Sequence, residues 1–188
     1  MSLRIGEPVS PTFQQPLALL SDCHRRVERF LGLLQRVAQD ADGGPLNPLQ
    51  REALETSLRY FREAAPKHTA DEEESLFPRL RALGSPEANA VLATIESLET
   101  DHEAARPAHE TVEILGQLWL AADALRPEEI ACLRSKLTTL NELYRNHIAI
   151  EDSDVFPVAG RLLSAATLEE VGREMAHRRG QPFRPRGL

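Results

Sequence analysis

Apolar residues recur every three or four positions through most of the chain. Leu17, Leu20, Val27, Leu31, Leu34 and Ala38 form one such stripe, and His24 takes a place in it that an apolar residue would otherwise fill. This spacing predicts an amphipathic helix. The run Asp40-Ala41-Asp42-Gly43-Gly44-Pro45 is expected to end it. Asn47-Pro48 then opens a second helix, with Asn47 as its cap and Pro48 at the first helical position. Its stripe runs Leu54, Leu58, Phe61, Ala65, His68 and Glu72. Pro66 predicts a kink just before His68, and the helix should stop near Leu83-Gly84.

A third, long helix begins at Ser85-Pro86-Glu87 and places Ile95, Leu98, His102, Ala105, His109, Val112 and Trp119 inside, with a bend expected at Pro107. After a break at Leu125-Arg126-Pro127-Glu128, a fourth helix aligns Ile130, Leu133, Leu137, Leu140, Tyr144, His147 and Glu151. Thr167 to Arg179 reads as a short fifth helix laid across the end. Short connections make sequential helices antiparallel. The fold class is therefore all-α: an up-down-up-down four-helix bundle with a short C-terminal fifth helix. Residues 1–180 should form one domain, and 181–188 a basic, disordered tail.

The polar interruptions of these stripes form a repeat. His68-Thr69-Ala70-Asp71-Glu72, followed by Leu76-Phe77-Pro78, recurs as His147-Ile148-Ala149-Ile150-Glu151, followed by Val155-Phe156-Pro157. Each copy follows a lone upstream histidine, His24 or His102, and corresponding residues of the two halves are offset by 78 or 79 positions. On a helix, residues i and i+4 share a face, so each imidazole and its carboxylate project together. Six such groups at one level of a bundle are costly to bury without a compensating cation. Four histidines and two glutamates suit a pair of transition-metal ions bridged by carboxylates. Iron leads, and manganese or zinc fits the same donors.

Composition narrows the setting. Of the net charge of −7, the stretch from Arg173 onward contributes +4 and leaves −11 on the body. An acidic body argues against nucleic acid as a partner. No apolar run is long enough to span a membrane, and the N-terminus shows no signal-type hydrophobic region. Cys23 and Cys132 make no disulfide framework, so a reduced, cytoplasmic setting is expected. Cys23 points about 100° away from His24 and reads as a packed thiol.

At His24, His68, Glu72, His102, His147 and Glu151 the chain resembles the hemerythrin-like, HHE cation-binding family of di-iron four-helix bundles. The resemblance runs from about Leu17 to Arg179 and includes the segment from Gly172 to Gly180. It implies that His24 and His68 hold one iron, that His102 and His147 hold the other, and that Glu72 and Glu151 bridge them. Two oxo- or hydroxo-bridged irons are the implied cofactor, with O2 or NO as small ligands and a redox partner that no motif identifies. Oxygen-carrying hemerythrins place a fifth histidine four residues after the one on the third helix; here that place is Arg106, which stays protonated and cannot ligate. The ligand set looks more like that of bacterial di-iron proteins of nitric-oxide response and iron–sulfur repair. Those repair proteins add a cysteine-bearing N-terminal domain, which is not expected here.

Around the ligands, Tyr144, Arg106 and His109 are the candidate second-shell residues. Tyr144 would either hydrogen-bond a small ligand at the centre or fill core volume with its hydroxyl on a backbone carbonyl. His109, roughly 10 Å along the axis from His102, is too far to ligate. It would act on an access route or simply be a buried structural histidine. Glu73, Glu74 and Asp152 should face away into solvent, as should the acidic row Glu103, Glu110 and Glu113 and, near the tail, His177.

Three functions follow. The first is a non-haem di-iron protein that binds or senses O2 or NO, or handles iron. The second is a di-iron enzyme of peroxidase, oxidase, NO reductase or iron–sulfur repair type. The third is a metal-stabilised interaction module. The sequence has no flavin, nucleotide or Cys-x-x-Cys motif to feed electrons, which favours binding over turnover.

Overall fold

The computed structural model describes residues 11–184. The N-terminal stretch read above for a signal region and the end of the basic tail lie outside the described residues. The elements are α1 (Pro16–Ala41), α2 (Pro48–Glu63), α3 (Ala65–Ala70), α4 (Phe77–Ala82), α5 (Pro86–Ala122), α6 (Pro127–Ile150), α7 (Phe156–Leu162) and α8 (Ala165–Arg178). A π-helical turn, Asp71–Leu76, joins α3 to α4, and a second, Glu151–Val155, joins α6 to α7. The bundle thus has four rods: α1; α2 through α4; α5; and α6 through α7. Each rod packs on its neighbour in a closed ring, with α8 laid against α1 and the first π turn.

Local chemistry sets the boundaries. The Asn47 side chain accepts from the Gln50 amide at 2.9 Å, and Gln50 Oε1 accepts from the Asn47 amide at 3.0 Å, a reciprocal cap. Ser85 and Ser164 cap α5 and α8 through Ala88 and Thr167. Contrary to the expected early stop, α1 runs through Asp40 and Ala41; it ends where Asp42 and Gly43 take left-handed backbone (φ 48° and 77°). The fifth helix likewise starts two residues earlier than expected, at Ala165. Pro66 interrupts the second rod as predicted, with α2 closing at Glu63 and α3 opening at Ala65. The third rod passes through Pro107 unbroken.

The π turns were not foreseen, and the prolines explain them. Pro78 and Pro157 have no amide hydrogen, and in a regular α-helix their rings would collide with the carbonyls of Glu74 and Ser153. Widening the preceding turn relieves both problems. The Phe77 amide donates to the Glu72 carbonyl and the Phe156 amide to that of Glu151, each spanning five residues. The Phe-Pro pairs therefore widen their helices without ending them.

Two apolar clusters fill the bundle. One gathers Leu31, Leu34, Leu54, Leu58, Trp119, Leu133, Leu137 and Leu140. The other gathers Leu20, Leu76, Phe77, Leu80, Ile95, Leu98, Val155, Val171 and Met175. Each fully buried leucine or isoleucine contributes on the order of 1.5–3 kcal/mol. Between the clusters, one turn from each rod carries the polar residues of the stripes.

Candidate metal centre

All six residues of the repeat converge on that middle layer. His24, His68, Glu72, His147 and Glu151 are buried, and the His102 side chain is 8% exposed. The imidazoles meet in the pairs suggested by sequence: the His24 and His68 rings lie 4.9 Å apart, and those of His102 and His147 lie 4.6 Å apart. Glu72 stands between the pairs. Its Oε1 is 3.3 Å from His68 Nε2 and 3.7 Å from His24 Nε2, while its Oε2 is 3.7 Å from His102 Nε2. Glu151 Oε2 is 3.0 Å from His24 Nε2 and 3.2 Å from His147 Nε2. One donor atom from each of His24, His68 and Glu72 falls within 4.8 Å of the others, close enough to share a cation.

The polar atoms here lack ordinary partners. Both oxygens of Glu72, both of Glu151 and the Nε2 of His24 are buried and make no well-angled hydrogen bond; what they have is close contact with one another, as between Glu151 Oε2 and His24 Nε2. Unpaired buried carboxylates cost several kcal/mol each. Without a cation the charges distort one another. Burial and the neighbouring Glu151 push the Glu72 carboxyl well above the usual carboxylate range. Burial would pull the His24 imidazole down, but Asp152, Glu151 and Glu72 together lift it strongly. Burial and the nearby His24 drive His68 down. A donor set of four imidazoles and two carboxylates, crowded yet unbonded, fits metal ions better than it fits itself.

The outer nitrogens carry a second layer. His102 Nδ1 meets Glu73 Oε1 at 2.7 Å, His24 Nδ1 meets Asp152 Oδ1 at 3.2 Å, and His147 Nδ1 meets Asp101 Oδ2 at 3.5 Å. Ser21 donates to the same Asp152 oxygen at 2.6 Å. His68 Nδ1 is buried without a partner. Glu73 and Asp152 remain 35% and 39% exposed, but the expectation that they turn away from the histidines is thus corrected. In a π turn residue i+5 falls back toward residue i, and this rotates both acids inward. The signal was present in the sequence, since Glu72 and Glu151 are each followed at once by an acid. Asp101 was missed because nothing in the repeat marks it. Glu74 faces outward as expected but meets Arg178 Nη2 at 3.2 Å.

The remaining candidates divide. Tyr144 Oη is 2.8 Å from His109 Nε2, so its hydroxyl partner is an imidazole and not a backbone carbonyl. The Tyr144 ring stands edge-on to that of His147, 6.2 Å away. Burial, with the Glu72 and Glu151 carboxylates, raises the phenol above its ordinary value. His109 packs on Phe61 and lines an apolar groove of about 440 Å3 between α2 and α5, and burial pulls it down to about 4. Arg106 does not belong to the second layer. Its side chain is 64% exposed and pairs with Glu103, away from the centre. Cys23 is buried, as expected of a packed thiol, and burial raises it; His177 is exposed.

The profile of the Hemerythrin HHE cation binding domain matches residues 15–159, which contain all six converging side chains. A Haemophilus influenzae protein described as uncharacterized is 29% identical over 183 residues, covering 94% of this chain and 98% of its own length. No helix among the described residues is long and apolar enough to cross a membrane. With the helical bundle, the doubled His-x-x-x-Glu and a match over most of its length, the chain belongs to the hemerythrin HHE cation-binding domain family.

Proposed function

We propose that this protein is a non-haem di-iron protein that binds or senses O2 or NO. His24 and His68 hold one ion, His102 and His147 hold the other, and Glu72 and Glu151 bridge the two. The observation that carries this reading is the convergence of the four buried carboxylate oxygens of Glu72 and Glu151, none in a well-angled hydrogen bond, between two pairs of imidazoles. Bound iron would supply coordination positions for a diatomic gas, because six protein side chains leave a pair of ions short of full coordination.

The chain's own residues do the rest. Glu73, Asp152 and Asp101 orient His102, His24 and His147 by accepting from their outer nitrogens, which fixes Nε2 as the inward atom. The apolar clusters above and below exclude water. Tyr144 stands edge-on to His147 and is held through its hydroxyl by His109, so its ring helps wall the centre on that side. Arg106 leaves the place one turn after His102 without an imidazole, which supports a gas-reactive centre over a reversible oxygen store.

The test is anaerobic titration of the reduced, iron-loaded protein with NO. A visible absorption change that saturates, and that is lost in His102→Ala/His147→Ala, is expected. In air the reduced wild type should oxidise without a long-lived oxygen adduct. A stable, reversible oxygen adduct would instead make storage the function.

A further inference from the structure

The first half of the repeat carries a buried acid that the second half lacks. Where the second copy has Ile150, the first has Asp71, which is 0% exposed and immediately precedes Glu72. Its counter-charges come from the far end of the chain. Arg178 Nη1 donates to Asp71 Oδ1 at 2.9 Å, and Arg179 Nη2 lies 2.7 Å from Asp71 Oδ2, an ion pair without hydrogen-bond alignment. Arg178 Nη2 also donates to the buried Ser75 Oγ at 2.8 Å and reaches Glu74 Oε2 at 3.2 Å. Two arginines therefore hold residues 71, 74 and 75 of the six-residue π turn that carries Glu72. Among the described residues no arginine pairs with the second π turn; Asp152 there is held by Ser21 and His24. Arg178 and Arg179 also lie beyond the stretch matched by the family profile, which ends at 159.

We propose that Arg178 and Arg179 are positioning residues for the metal centre: by clamping the buried Asp71 they fix the wide turn bearing Glu72 and so set how tightly the ions are held. Neither carboxylate oxygen of Glu72 has a hydrogen bond of its own, so its placement depends on the backbone of that turn. A π turn is an irregular stretch of helix, and the Asp71 carboxylate is where side chains outside the rod can hold it. Arginine suits the task because the separate nitrogens of one planar head can reach several partners at once, as Arg178 reaches Asp71, Ser75 and Glu74, while part of the side chain stays at the surface, here 18% and 21% exposed.

The inference rests on the metal-binding reading, and two measurements keep their failures apart. Full-length protein is stripped of metal and titrated with Co(II), and amide exchange of residues 71–76 is followed in the metal-free state. Arg178→Lys/Arg179→Lys keeps the charge and loses the fork. It should fold, bind Co(II) about tenfold more weakly, shift the Co(II) d–d bands and exchange faster at residues 71–76. Asp71→Leu/Arg178→Met/Arg179→Met replaces the buried ions with apolar side chains, an exchange that often preserves stability. It should show the same loss with an unchanged metal-free melting temperature. Glu169→Gln releases a tie within α8, to Arg173, and should match wild type. Wild-type affinity, bands and exchange in the lysine variant would overturn the clamp. If wild type takes up no Co(II), the metal reading fails, and exchange in the metal-free protein still decides whether the arginines fix the turn.

Discussion

Glu73 offers the sharpest test of the second layer, because its role depends on the π turn. Its carboxylate accepts from His102 Nδ1 at 2.7 Å, a charge-assisted bond to an imidazole whose other nitrogen faces Glu72. Outer carboxylates on metal-bound histidines typically contribute 10–100-fold in affinity, or about 1.4–2.7 kcal/mol. The Glu73 side chain is 35% exposed, so solvent screening places it at the lower end, about 1.4 kcal/mol. Glu73→Ala should therefore weaken one of the two ions about tenfold and leave the other near its wild-type affinity. Glu72→Ala, which removes a bridge, should weaken both. Anaerobic titration with Fe(II) against a competing chelator resolves the two steps. Asp154→Asn serves as the control, since that acid is exposed and meets only Ser153. Wild-type affinity in Glu73→Ala, or an equal loss in Asp154→Asn, would refute the inward rotation of the turn.

Three further outcomes are expected. His109 is held neutral, lowered from 6.5 to about 4 by burial, so the unfolded chain takes up a proton that the folded one refuses. Its contribution is whole above about pH 6.5 and is lost as pH falls toward 4, by roughly 3 kcal/mol at most, so urea melts of metal-free His109→Phe should depend less on pH across that window than wild type. Gly116 lies where α5 crosses α2, and a Cβ there would sit 2.6 Å from Leu58 Cδ1; Gly116→Ala should cost a net ~1 kcal/mol in melts, and pairing it with Leu58→Ala should cost less than the sum of the two. Asn47→Ala removes the reciprocal cap of α2 and should cost about 1 kcal/mol in the same melts with metal content unchanged.

The helices and the six converging side chains were legible because one signal encoded both. A period of three and four that places Leu20, Val27 and Leu31 inside must place His24 there too. What escaped that reading depended on departures from the period. Nothing in the period showed how the helices pass Pro78 and Pro157, yet a wide turn absorbs each at small cost, and the same turns bring in Glu73 and Asp152 against ordinary helical phase. Arg106 kept the correct phase in sequence, but its long side chain reaches solvent and Glu103. Asp71, Arg178 and Arg179 were invisible as a unit because their contact spans more than a hundred residues. The arginines read as a basic end until the buried acid they neutralise was seen.

The central claim is that the middle layer of the bundle holds two ions. Elemental analysis of protein purified from iron-replete cells without added metal tests it most directly. About two metal ions per chain, predominantly iron, are expected, with both lost when His24, His68, His102 and His147 are all changed to alanine. A content of one ion or none, or metal retained by the four-histidine variant, would contradict the account.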